Sequence, residues 1–395
     1  MSRRDLHDVV VVGAGVVGAA AALAFARDGL RVALVEARAP QPWRADAPDL
    51  RVYAFAPDNA AFLDDLGAWA GVLAARAQPY RAMRVWDAGG GAPLVFDADA
   101  LARRELGWIV ENALLVDRLW AALAPAGVEL HCPERVRALE QDADSASLEL
   151  DSGLRLRSRL VLAADGGDSQ LRAMAGIETR VRDHGQSGLV AFVDHGQPHQ
   201  ATCWQRFMPS GPLAFLPFEG EGGHRSSIVW TLPEAEALRL RDIDEAAFLM
   251  ELERAFDGPL GPMTSVSGRV AFPLKRQLAE TCLAGRIALV GDAAHVVHPL
   301  AGQGVNLGLR DVTALRAVLR DASRRGADIA APSRLARWAR VRRSENAIAA
   351  HAFDGLNRLF SNDAVLPTLL RGPAMGLLGR WAPATHALWR RAAGV

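Results

Sequence analysis

Lysine is almost missing from this 395-residue chain: Lys275 stands alone, and arginine carries nearly all the positive charge. With alanine so abundant, that bias reads as a genome's codon usage and not as a functional arginine surface. Net charge is missing too. The 45 basic side chains cancel the 45 acidic ones, so no global field favours nucleic acid or another polyanion. Cysteine is scarce and odd in number: Cys132, Cys203 and Cys282 lie far apart and form no Cys-x-x-Cys pair. That pattern argues against a disulfide framework and a structural zinc, and it suits a reducing compartment. Internal repeats and low-complexity linkers are also lacking.

A membrane-spanning run is only imitated. Val9–Ala26, "VVVVGAGVVGAAAALAFA", has the length of a span or a signal core. Its interior breaks that reading: β-branched residues end at Gly13, glycines follow at fixed spacing, and an alanine-rich helix closes at Gly29. "RVALVEAR" (31–38) then resumes as a second buried strand. The chain therefore starts with a βαβ unit. Half of its residues are apolar, enough to bury a large core in two closely associated domains.

The turn of that unit reads Gly13-x-Gly15-x-x-Gly18. The first glycine permits the turn, the second lets a pyrophosphate approach the backbone, and the third lets helix and strand pack closely. The helix N-terminus offers free N–H groups and a positive dipole. Glu36 ends the second strand, where a carboxylate accepts from adenosine ribose hydroxyls and disfavours a 2′-phosphate. FAD or NAD fits, and NADP does not. Two later strands also end in glycine-rich turns, "RLVLAADGGDSQLR" (159–172, with Asp165) and "RIALVGDAAHVVHPLAGQGVNLGLRD" (286–311, with Asp292). One NAD needs only the first turn; three together suggest a longer cofactor extending across the sheet.

These segments, with "DLRVYAFAP" (49–57), "LGWIVEN" (106–112), "HQATCWQRFMPSGPLAFLPF" (199–218) and "SIVWTLP" (227–233), resemble the flavin-dependent aromatic hydroxylases of the para-hydroxybenzoate-hydroxylase fold. Within that group the chain looks like the ubiquinone-biosynthesis (polyprenyl-phenol) hydroxylases, over nearly its whole length. The resemblance implies a bacterial, cytoplasmic FAD monooxygenase, peripheral on the inner face of the cytoplasmic membrane. It would use NADH or NADPH as a transient donor and O2 to hydroxylate a prenylated aromatic substrate, working with other ubiquinone-biosynthesis proteins and binding no nucleic acid. By resemblance, Gly13, Gly15, Gly18 and Glu36 hold the ADP half of FAD, and Arg51 lies near the pyrophosphate. Asp165 serves flavin packing and donor docking, and Asp292 binds a ribityl hydroxyl. Gly302, Gln303, Gly304, Val305 and Asn306 open a helix whose N–H groups face the flavin ring, and Pro299 sits where ring meets substrate.

Hydroxylation needs a polarised or deprotonated phenol and exclusion of water. No residue declares itself as the base; the Pro299 carbonyl, His298 and Gln186 are the candidates. His295-x-x-His298 has a metal-like spacing, but Pro299 and the glycines oppose a regular helix there, so His295 is expected to be a buried hydrogen-bonding residue and not a ligand. His184 stands where the relatives are expected to carry a tyrosine.

The expected architecture is α/β, with an α+β substrate domain. A discontinuous Rossmann-like FAD-binding domain spans residues 1–75, 100–180 and 270–345. Residues 76–99 and 181–269 supply the β-sheet of the substrate domain, and 346–395 form C-terminal helices. Glu140–Gly153 reads as a solvated hairpin. The C-terminal region reads first as a helical cap on the FAD domain; the other reading is an amphipathic membrane-touching surface with Trp381 and Trp389 near the headgroups. Three other functions share some of the motifs. A flavin halogenase would need a Trp-x-Trp-x-Ile-Pro signature, an isoprenoid-lipid reductase would not match residues 199–218, and a non-catalytic flavin scaffold would not need the intact loop at 291–311.

Overall fold

The computed structural model describes residues 6–297 and 304–360, with residues 386, 389, 390, 393 and 394 near the C-terminus. The anticipated opening is present: strand β1 (Leu6–Val12), helix α1 (Val16–Arg27) and strand β2 (Val32–Val35). Next come β3 (Val52–Phe55), α2 (Pro57–Asp65), α3 (Trp69–Arg76), β4 (Gln78–Tyr80), β5 (Ala82–Asp87), β6 (Leu94–Asp97), β7 (Gly107–Glu111) and α4 (Asn112–Leu123). β8 (Glu129–His131), β9 (Val136–Gln141), β10 (Ala146–Leu150), β11 (Arg155–Ala163) and α5 (Gln170–Met174) follow. Then come β12 (Thr179–His195), β13 (Thr202–Phe207), β14 (Leu213–Phe218), β15 (Arg225–Pro233), α6 (Glu234–Asp242), α7 (Glu245–Phe256), β16 (Met263–Val266) and β17 (Val270–Ala279). β18 (Leu283–Ala284), β19 (Ile287–Leu289), β20 (His295–Val296), α8 (Gly304–Arg324) and α9 (Pro332–Phe360) complete the order.

One sheet runs β18-β19-β11-β1-β2-β8, with the β9–β10 hairpin attached to β11. From β19 to β8 its strands are parallel; Val10 pairs with Val161 on one side and with Ala33 on the other. A parallel sheet must be covered on both faces, which is why β1 ends in four consecutive valines, Val9–Val12. The alanines of α1, from Ala19 to Ala24, are fully buried, and their small side chains let the helix lie close to the sheet between α4 and α8. The β9–β10 hairpin is where the sequence placed one, but only one face is solvated. Ala146, Leu148 and Leu150 are fully buried.

A nine-stranded sheet runs β20-β17-β12-β15-β14-β13-β5-β6, with β16 beside β12. Alternation sorts its faces. Leu189, Ala191, Phe215, Ile228 and Trp230 meet Phe248, Leu252 and Phe256 of α7. On the opposite face Phe192, Ala214, Leu216 and Phe218 meet Val52, Ala54, Tyr80 and Ile109 of a three-stranded sheet, β3-β7-β4. The nine-stranded sheet is thus clamped between its own helices and the nucleotide-binding half.

Three expectations shift. The stretch 181–270 is not all strand: α6 and α7 interrupt it, with Asp244 capping α7 by accepting from the Ala247 N–H at 3.0 Å and apolar residues at four-residue spacing. The sequence boundary at 270 falls early, because β17 pairs along β12 from Val190↔Val270 to Thr179↔Ala279. The 17-residue β12 needs a partner along its length, and nothing local in β17 says which sheet it joins. The boundary at 76 is early as well, since β4 pairs with β7 and not with β5. Among the described residues no helix is long and apolar enough to cross a membrane.

Candidate active site at the edge of the parallel sheet

Because β1, β11 and β19 are adjacent and parallel, their C-terminal ends lie side by side. The three glycine-rich turns therefore meet at one edge. Gly13 has φ +96°, and a Cβ there would lie 2.3 Å from the Ala164 carbonyl oxygen, so the first turn rests directly on the second. At Gly18 a Cβ would sit 1.9 Å from the Gly13 oxygen. Gly15 differs: a Cβ there meets nothing within 4 Å. The protein's own packing demands Gly13 and Gly18, whereas Gly15 faces open space in front of the first N–H groups of α1. That is a cradle which a side chain would fill and a pyrophosphate fits.

Glu36 is half-buried and braced. Its carboxylate accepts from the Ala14 N–H at 2.7 Å and the Arg38 N–H at 3.0 Å, while Trp120 Nε1 donates to the Ala14 carbonyl at 2.7 Å. Asp165 accepts from Ser169 Oγ at 2.5 Å and from the Leu171 N–H at 3.1 Å, so its carboxylate ties down the start of α5. Arg172, which the sequence did not single out, joins the second and third turns by donating to the carbonyls of Gly167 and Ala293, both at 2.9 Å. Gln277 of β17 donates to the same Gly167 carbonyl at 2.6 Å, linking the nine-stranded sheet to this edge.

Asp292 and Arg51 face each other across the mouth of the site, with Arg51 Nη2 4.0 Å from Asp292 Oδ2 and both side chains largely exposed. Arg51 also lies 5.5 Å from the Tyr53 ring centroid, and its backbone N–H donates to Asp49 at 2.9 Å. Burial pushes the Tyr53 hydroxyl up to about 12; it stays protonated and donates to Asn112 Oδ1 at 3.1 Å.

The start of α8 adds a feature the sequence did not signal. Asn306 is fully buried, but its side chain serves the β3–α2 corner. Its Oδ1 accepts from the Ala56 N–H and Asn59 Nδ2, both at 2.9 Å, and its Nδ2 donates to the Ala54 carbonyl at 2.8 Å. Its backbone carbonyl also accepts from Asn59 Nδ2, at 3.2 Å, so the residue is tied to that corner through side chain and main chain. Val305 is buried in the main core, and Gly304 begins the helix. His298, Pro299, Gly302 and Gln303 lie outside the described residues.

His295 is the buried hydrogen-bonding residue expected, at 2% exposure. Its Nε2 is 2.6 Å from Asp311 Oδ2, which also accepts from the Gly291 N–H at 3.1 Å. Asp311 Oδ1 accepts from Arg342 Nε at 2.7 Å and Asn346 Nδ2 at 3.0 Å. Burial alone would raise the Asp311 pKa, but His295, Arg342 and Asn346 outweigh it and hold it at about 2. One carboxylate thus ties the Gly-Asp turn to α8 and α9. Gln186 follows an irregularity in β12 that contains half-buried His184, and it donates to the Ser210 carbonyl at 3.1 Å. Trp389 is buried in the apolar cluster between the sheets, with Arg103 5.4 Å from its ring centroid; it is a packing residue and not a headgroup anchor. Trp381 lies outside the described residues.

Fold and site together define a flavin-dependent hydroxylase. A family model described as FAD binding domain matches residues 7–344. The chain is 39% identical over 396 residues to the ubiquinone hydroxylase UbiL of Rhodospirillum rubrum, covering 100% of this chain and 91% of that protein. It is also 39% identical to the 3-demethoxyubiquinol 3-hydroxylase of Escherichia coli K12, over 94% of each. In structure, the p-nitrophenol 4-monooxygenase PnpA of Pseudomonas putida superimposes with a TM-score of 0.78 over 98% of both chains at 21% identity, a likeness of fold. The chain belongs to the FAD-dependent aromatic hydroxylases, in the family of the ubiquinone-biosynthesis hydroxylases.

Proposed function

We propose that this monooxygenase hydroxylates the aromatic ring of a polyprenylated phenol or quinol intermediate of ubiquinone biosynthesis, with O2 and a nicotinamide donor. The observation that carries the reading is the meeting of three glycine-rich turns at one sheet edge, with two glycines fixed by packing and Gly15 facing open space. FAD, once bound, supplies the redox chemistry and oxygen activation.

The chain's residues hold and shield. Gly13, Gly15, Gly18 and the start of α1 would hold the pyrophosphate, and Glu36 the adenosine ribose. Arg51 would neutralise phosphate charge from the exposed mouth, and Asp292 would accept from a ribityl hydroxyl. Asp165, through α5 and Arg172, would keep the second and third turns in register. The N–H groups at the start of α8, from Gly304 to Asn306, together with those of Gly302 and Gln303 in the same motif, would favour negative charge on the adjacent ring. The apolar sheet face around Ala214 and Leu216 would exclude water from the substrate. Gln186 positions the β13–β14 corner through Ser210, while His298 and the Pro299 carbonyl are the groups we assign to the substrate hydroxyl. The parallel-sheet unit would be the FAD-binding domain and the nine-stranded sheet the substrate domain. The enzyme would work beside other ubiquinone-biosynthesis proteins at the inner face of the cytoplasmic membrane.

The test is a mass-spectrometric quinone profile of cells lacking the gene. Accumulation of a prenylated phenol short of one oxygen supports the reading and identifies the ring position. Unchanged ubiquinone, with no such precursor, would remove the pathway assignment.

A further inference from the structure

The arginine bias of the chain is diffuse, but its placement is not. A cavity of about 260 Å³ opens between the C-terminal ends of α1 and α8, with Arg27, Arg320 and Arg324 around it and Asp28 and Ser323 in its wall. Its one carboxylate is already engaged: Arg316 donates to Asp28 through Nε at 2.9 Å and Nη2 at 2.8 Å, and its remaining nitrogen pairs with Asp65. Arg27, Arg320 and Arg324 form no ion pair with a described residue, and all three are exposed.

Four guanidiniums thus surround two carboxylates, an excess of two positive charges. The C-terminal dipoles of α1 and α8 offset about half a charge each, which leaves roughly one positive charge uncompensated. Arg320 and Arg324 stand one turn apart on α8, a spacing at which like charges repel. The field reaches Asp65, whose carboxyl is held below its usual range first by its bond to Arg316 and then also by Arg320 and Arg27.

We propose that this cavity binds a phosphate group. Guanidinium forks match phosphate oxygens bidentately, and the Ser323 hydroxyl adds a neutral donor. The volume lies just under the range of ordinary small-molecule pockets and admits a headgroup-sized anion. The cavity is separate from the cofactor cradle, because α1 places 12 residues, roughly 18 Å of helix, between them. The inference rests on charge and shape at this cavity and stands apart from the proposed reaction. A soluble phosphate compound and an anionic lipid headgroup share the required chemistry.

The experiment uses the full chain loaded with FAD, so that the pyrophosphate cradle at Gly15 is filled. Inorganic pyrophosphate is titrated calorimetrically at constant ionic strength, and sedimentation compares phosphatidylglycerol-containing vesicles with phosphatidylcholine vesicles. Saturable one-to-one pyrophosphate binding, weakened at least about tenfold in an Arg320→Gln/Arg324→Gln variant, identifies a soluble phosphate ligand. Binding only to the phosphatidylglycerol vesicles, lost in the same variant, identifies a headgroup. Arg325→Gln, whose charge is engaged by Asp321 outside the cavity, should behave as the parent. Flavin absorbance and thermal midpoint verify folding; if the double variant is unstable, Arg27→Gln gives the same reading from the other helix. Neither kind of binding, or binding that survives loss of these arginines, overturns the proposal.

Discussion

Replacing Asp311 with Asn should cost more than almost any other single polar change in this chain. The side chain is 1% exposed and accepts from four groups: Arg342 Nε, Asn346 Nδ2, His295 Nε2 and the Gly291 N–H. Asn preserves the volume but supplies one acceptor and one donor, so at least one pair of facing donors loses its partner. Arg342, itself buried, also loses its buried counter-charge and keeps only the largely exposed Glu345. An unsatisfied buried donor costs about 1–3 kcal/mol, and breaking a buried ion pair from one side about 3–5 kcal/mol. Taking about 3 kcal/mol, the unfolding constant should rise more than about a hundredfold. Urea unfolding of the FAD-loaded protein reads this by far-UV circular dichroism, and flavin fluorescence reports release of the cofactor. Release should come at lower urea than in the parent, because Asp311 holds the Gly-Asp turn through Gly291.

The pH dependence gives a second handle on the same residue. With its pKa depressed to about 2 from the ordinary aspartate value of 3.8, ionised Asp311 stabilises the fold above pH ~4, and that contribution disappears as pH falls toward 2. The Asn variant should lack this acid arm. A loss below about 1 kcal/mol, with the acid arm retained, would refute the electrostatic reasoning.

The glycines of the first turn should separate folding from binding. Gly15→Ala should leave the thermal midpoint of the cofactor-free protein unchanged while weakening FAD binding at least about tenfold, since its Cβ enters only open space. Gly18→Ala, whose Cβ would strike the Gly13 oxygen, should lower that midpoint itself by an overpacking cost of about 1–3 kcal/mol. Arg172→Gln should leave β11 and β19 paired but loosen the tie between their turns, seen as faster FAD dissociation; an unchanged rate would show that the tie carries nothing. Burial holds His195 and His199 below the usual histidine range of 6.5. Their unfolded forms therefore take up protons first, and stability present above pH ~6.5 should fall as pH drops below it. His195→Gln should flatten that slope, as read by denaturant midpoints from pH 8 to 5.

The βαβ opening was legible because its signal is local: a valine run, three spaced glycines and an alanine helix within 30 residues. The meeting of three turns was legible for a related reason, since each ends a short apolar strand and parallel strands share a direction. What escaped is long-range. Arg172 reaches Ala293 across 121 positions, and Arg342 reaches Asp311 across 31; in sequence both are ordinary helical arginines. Asn306 stood inside a glycine-rich motif that suggested a ligand, yet its amide is spent on Ala54, Ala56 and Asn59, some 250 residues earlier. The membership of β17 was hidden because apolar alternation reports a strand's face and not its partner. Helices α6 and α7 were missed beneath the alternation of the strands around them, although Phe248, Leu252 and Phe256 carry a four-residue period.

The most direct measurement is a single reaction. The purified FAD-loaded protein is given NADH or NADPH, a short-chain prenylated phenol and 18O2, and the product is weighed by mass spectrometry. The expected product carries one 18O atom on the ring, with nicotinamide oxidation that accelerates when the phenol is added. An oxygen atom drawn from water, or no ring-labelled product while bound FAD is reduced and reoxidised, would contradict hydroxylation as the function.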